Sequence, residues 1–163
     1  ILYRAGLSFM YAKNFKDAIT YLESAATADS EIAKLAAFQL GIAYLETGSK
    51  TQAQNAFAKA RKSSNKAVGE QASFSFAKVC YDIGQADKAI LELESFIVQY
   101  PQSTKNTEAK ELLSQAYVNG NNYNKAIEYI ESLPAKNLVI QQAYQKATYL
   151  KGVEWFNKDQ FAE

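Results

Sequence analysis

Residues 40–60 read LGIAYLETGSKTQAQNAFAKA, and this stretch decides the fold. Leu40, Gly41 and Tyr44 fall on one helical face, and Ala53, Phe57 and Ala60 fall on another. Gly48 lies between the two runs, where a left-handed residue ends the first helix. The stretch therefore predicts a helix–turn–helix pair. Its glycine lets the first helix (A) come close to the second (B), and Phe57 fills the space beside it.

Working outward, the same slots recur with a period of about 35 residues. They read Gly6, Phe9, Ala18 and Leu22 before the stretch. After it they read Ala77, Cys80, Ala89 and Leu93, then Ser114, Tyr117, Ala126 and Ile130, with a partial copy at Gly152 and Trp155. One such pair cannot bury its apolar face alone, so the pairs must stack into a solenoid. Repeat boundaries fall at approximately 1–30, 31–65, 66–103, 104–137 and 138–163, the last partial, within a single array. Turns are expected at Ala12-Lys13-Asn14, Glu46 to Ser49, Asp82 to Gln85 and Asn119 to Asn122. A further turn is expected at Asn157-Lys158-Asp159-Gln160, leading into a truncated helix B. Pro101 and Pro134 close the B helices of the third and fourth repeats. Both ends fall inside the pattern, which predicts a segment of a longer array.

Composition excludes several function classes. Net charge is +1 and the two signs are mixed, so there is no electrostatic footprint for nucleic acid. No run of apolar residues is long enough to span a membrane. Histidine is absent, which removes the usual general base and the commonest metal ligand. Cys80 occupies a core slot and reads as a small buried apolar residue. Glu92/Glu94 and Glu128/Glu131 read as solvated helix faces rather than acid–base pairs. The basic run Lys59 to Lys62, with Lys66, sits at a helix end, where cations complement the dipole. No catalytic, metal or cofactor site is expected, and no enzyme activity.

The slots resemble those of the tetratricopeptide repeat (TPR) family: a bulky residue, then Leu-Gly, then Tyr in helix A, and Ala, a large residue and Ala in helix B. Leu40-Gly41, Tyr44, Ala53, Phe57 and Ala60 fit best. Cys80, Phe96 and Lys151 depart from the pattern. The resemblance implies an all-α, right-handed α-solenoid of TPR helix-turn-helix pairs. It also implies a non-catalytic protein–protein interaction scaffold, binding a protein or peptide segment on the concave face of the A helices. Carried over slot by slot, that face holds Tyr3, Leu7, Tyr11, Phe38, Ile42, Phe74, Lys78, Tyr81, Tyr149 and Phe156. Some family members clamp a C-terminal carboxylate there with polar residues. Leu7, Ile42 and Phe74 stand in those slots here, so no clamp is expected. The alternative is a structural spacer or self-assembly element in a larger protein. The Tyr100-Pro101 step, the inter-repeat loops and many Gln and Asn residues resemble TPR proteins of bacterial cell envelopes. That implies a periplasmic or envelope location ahead of a cytoplasmic one.

Overall fold

A computed structural model describes residues 1–160, with Asp159 and Gln160 as backbone only. The described residues are all-α. The helices are α1 (Leu2–Tyr11), α2 (Phe15–Ala25), α3 (Glu31–Glu46), α4 (Lys50–Ala60), α5 (Lys66–Asp82), α6 (Ala86–Gln99), α7 (Asn106–Asn119), α8 (Tyr123–Ser132) and α9 (Leu138–Gln160). They are arranged as the antiparallel pairs of a TPR α-solenoid. The chain forms two compact blocks, residues 1–84 and 85–163. In the first block α1, α2, α3 and α4 each pack on the next helix, and the A-type helices α1, α3 and α5 also touch in order. In the second, α6 packs on α7, α7 on α8, and α9 on both α7 and α8.

Chain reversal inside each pair has one physical solution. Lys13, Gly48, Gly84 and Asn121 occupy the same turn position and all have positive φ, 55°, 77°, 77° and 59°. The next residue donates its N–H back over the turn, Asn14 to Phe9 O at 2.9 Å, Ser49 to Tyr44 O at 2.7 Å and Asn122 to Tyr117 O at 2.8 Å. These are Schellman closures, which satisfy the orphan carbonyls of helix A. In the fourth repeat Asn121 takes the left-handed position, and Gly120 keeps a φ of −84°.

The recurring slots are the core. Ala18, Leu22, Ala53, Phe57, Ala89, Leu93, Ala126 and Ile130 are all fully buried. A Cβ on Gly6 would lie 2.6 Å from Leu22 Cγ, and one on Gly41 would lie 2.5 Å from Phe57 Cε1. These two glycines are therefore required by close approach. A polar pair reinforces the join between repeats. The Tyr44 hydroxyl donates to Glu23, and the Tyr117 hydroxyl donates to Glu94. Burial, then the Glu23 carboxylate, pushes the Tyr44 phenol up to about 12. Where the glutamate slot holds Ala58, the tyrosine slot holds Cys80, whose buried Sγ accepts from Gln54 Nε2 at 3.0 Å. Phe96, the second departure from the pattern, is buried beside Tyr100, with ring centroids 5.2 Å apart.

The basic run is engaged in packing. Lys59 Nζ donates to the carbonyls of Ala26 and Ala28 past the end of α2, and the Arg61 guanidinium lies 4.4 Å from the Phe76 ring centroid. Glu31, at the start of α3, ties down the loop before α5. Its carboxylate accepts from the Ser63 hydroxyl and from the N–H groups of Ser64 (3.1 Å) and Asn65 (3.4 Å). Those bonds, the Ser63 hydroxyl first, lower its pKa from 4.5 to about 2. A carboxylate held below its unfolded value contributes stability that is fully present above that value and lost as pH falls through the folded one. The Glu31 contribution should therefore fade between about pH 4.5 and 2. Urea midpoints across that range should fall less steeply for Glu31→Gln than for the parent. Equal slopes would mean that the contacts add nothing.

The last repeat departs from the expected reading. No turn occurs at residues 157–160, because α9 continues through them to Gln160. Among the described residues a Cβ on Gly152 would meet nothing within 4 Å, and Trp155 is exposed. The neighbouring core-facing slots also differ from those of the other repeats. Lys151 stands where Leu40, Phe76 and Leu113 are buried, and Glu154 stands where Ala43, Val79 and Ala116 are buried. Charged side chains at those positions cannot enter the core unpaired. The expected start of helix B at Phe161 lies outside the described residues.

Candidate functional site

The carried-over residues divide between the two blocks. In the first, Tyr3, Leu7 and Tyr11 follow one another along α1 at helical spacing, as do Phe38 and Ile42 on α3 and Phe74, Lys78 and Tyr81 on α5. Tyr11 is exposed, and Leu7, Ile42, Lys78 and Tyr81 are half-buried. Tyr3 is half-buried against the cluster of Ala18, Leu22, Ala36 and Leu40. Burial, then the neighbouring Tyr11, pushes its phenol pKa up. Phe38 is half-buried, with its ring centroid 6.0 Å from that of Phe57. It is therefore part surface and part core.

Phe74 is the exception. Its side chain is 5% exposed and offers a partner almost no surface. Its slot on α5 faces the same way as Phe38 on α3, but packing covers it. Leu45, at the end of α3, is the exposed apolar residue that extends the Phe38–Ile42 run. The i, i+4, i+7 spacing from Phe38 already signals it.

In the second block, Tyr149 and Phe156 are 71% and 61% exposed on α9. Val153 lies between them on the same stripe and is also exposed. Trp155, expected in a core slot, is out in solvent with Lys151 Nζ 4.9 Å from its ring centroid.

A polar cleft of about 390 Å³ also opens in this block, lined by Glu131, Lys136, Gln141, Tyr144 and Gln145. Its groups bond to one another and to local backbone. The Tyr144 hydroxyl donates to Glu131 at 2.8 Å, Gln141 Nε2 to Lys136 O at 2.8 Å, and Lys136 Nζ to Leu133 O at 2.9 Å. The cleft therefore presents a hydrogen-bonded wall, with no nucleophile–base pair. Among the described residues no group of three or more His, Cys, Asp or Glu could hold a metal ion. No described helix is long and apolar enough to cross a membrane.

Comparison with known proteins agrees with this architecture. A family model described as tetratricopeptide repeat matches residues 3–67 and again 38–104, and a second of the same description matches 107–133. No curated protein matches the sequence. Among solved structures, MamA from Desulfovibrio magneticus RS-1 superimposes with a TM-score of 0.71 at 22% identity, over 99% of this chain and 90% of that one. MamA AMB-1 gives 0.69 at 18% identity, over 93% and 81%. A Podosopora anserina structure of nearly identical TPR-like repeats gives 0.63 at 14% identity, over 99% and 90%.

Proposed function

We propose that this chain, which belongs to the tetratricopeptide-repeat family, is a non-catalytic scaffold that binds a segment of a partner protein along the open faces of its A helices. One observation carries the reading. On α1 and α3, which touch, Leu7, Tyr11, Phe38, Ile42 and Leu45 are apolar or aromatic residues left at least partly at the surface, on helices that also expose Arg4, Ser8 and Glu46. Soluble surfaces rarely keep such residues together unless something covers them. A preformed helical face also lowers the ordering cost of binding.

The test is capture of a partner from lysate and envelope fractions of the source cell by the parent chain and by Ile42→Glu, checked for equal helicity by circular dichroism. A partner held by the parent and lost by Ile42→Glu supports the reading. Equal capture by both chains would sink it. The second reading, a spacer or self-assembly element, predicts instead a concentration-dependent sedimentation coefficient and no specific partner. A bacterial periplasmic or envelope location belongs to the same proposal, supported by the inter-repeat resemblance alone and checked by fractionation.

A further inference from the structure

Asn119-Gly120 is the one Asn-Gly step in the chain. It falls at the end of α7, where the fourth reversal begins. The turn makes no conformational demand for this glycine. The left-handed position belongs to Asn121, with φ 59°, and Gly120 has φ −84° and ψ 9°. What the glycine does is leave its nitrogen unshielded by a side chain of its own, beside the exposed Asn119.

A glycine nitrogen in that position is a nucleophile for the asparagine amide. The nitrogen gives up its proton to hydroxide and attacks Asn119 Cγ. The new C–N bond closes a five-membered succinimide, and the side-chain nitrogen leaves as ammonia. Water then opens the ring at one carbonyl or the other, giving aspartate or isoaspartate. Water and hydroxide are the sole co-reactants.

The fold holds this reaction back in two ways. The Gly120 N–H donates to Ala116 O at 2.9 Å, so the proton that must leave is bonded. Asn119 is also helical, and ring closure requires its ψ to rotate out of the helix. Both restraints lapse together when the turn opens. What keeps it shut is the Asn121 N–H to Val118 O bond at 3.1 Å and the Asn122 N–H to Tyr117 O bond at 2.8 Å. The Tyr123 hydroxyl adds an exposed bond to Asn121 Oδ1 at 2.8 Å.

We infer that Asn119 is a site of spontaneous modification gated by the α7–α8 turn, converting to aspartate or isoaspartate when that reversal opens. Either product damages the turn. Aspartate puts a negative charge at the C-terminal end of α7, where the helix dipole opposes it. Isoaspartate adds a methylene to the backbone, so the closing bonds cannot all re-form. Tyr117 takes one of those bonds on its carbonyl and donates to Glu94 from its hydroxyl. Loss of the turn therefore reaches the join between α6 and α7.

The experiment is peptide mapping by mass spectrometry after timed incubation at mildly alkaline pH, in buffer and in urea that unfolds the chain. A reaction slower than reclosing tracks the open population, so conversion at Asn119 should be about tenfold or more slower in buffer than in urea. Asn121→Val places a β-branched residue at φ 59° and removes the Tyr123 bond. It should speed conversion in buffer by about threefold or more and leave the urea rate unchanged. Gly120→Ala should be nearly inert in both, because a Cβ shields the nitrogen. That Cβ would have its nearest neighbours at 3.3 Å, so a small shift accommodates it. Equal parent rates in buffer and urea overturn the gate. So does an Asn121→Val rate in buffer equal to the parent's. No conversion of the parent in urea overturns the site itself. Circular dichroism checks that Asn121→Val is helical, and the parent's buffer-to-urea ratio tests the gate without that variant.

Discussion

Phe57→Ala is expected to lower the unfolding free energy by about 3–5 kcal/mol, the range for a buried aromatic truncated where the surroundings cannot collapse. Phe57 is fully buried. Its ring sits over Gly41, and its centroid lies 6.0 Å from that of Phe38. Helix backbone on the Gly41 side cannot close the gap, because α3 is also held by its contacts with α1, α2 and α5. A domain is stable by only about 5–15 kcal/mol in total, so this loss should be plain in a urea melt. A loss under about 1 kcal/mol would mean that Phe57 is not the centre of its pair.

Gly41→Ala is the second large effect and has the opposite cause. Alanine is the better helix former by about 1 kcal/mol, yet its Cβ would lie 2.5, 2.7 and 2.8 Å from three ring atoms of Phe57. A ring buried on all sides has no flexible end to move aside. The net cost should be about 1–3 kcal/mol, as for other overpacked cores. In a Phe57→Ala background the ring is gone and the added methyl enters its space. The Gly41→Ala penalty should then vanish or reverse, a coupling of about 1–3 kcal/mol in a double-mutant cycle. Strictly additive costs would show that the two residues do not share one contact.

Much of the architecture was legible from a few slots. Gly6 and Gly41 were readable as close-approach positions because their bulky partners recur at a fixed distance along the chain. Gly48 was readable as the turn residue. Lys13 and Asn121 take the same left-handed backbone without being glycine, because the hydrogen bond that closes the turn at Gly48 is made at their reversals as well. Trp155 and Gly152 read as repeat slots, and both are exposed among the described residues.

The surface was less legible. Phe38 and Phe74 occupy equivalent slots, yet one is half-buried and the other 5% exposed. The distinction depends on neighbouring side-chain volumes, which a one-dimensional pattern does not carry. Nor does spacing alone show that Glu23 receives Tyr44, or that the buried Gln54 amide reaches Cys80. The sequence by itself determined the helical pairs, their period and their buried seams, because helix periodicity and steric fit are local and repeat. Only the tertiary structure decided which apolar residues remain at the surface. Exposure is set by what packs against a residue from distant parts of the chain.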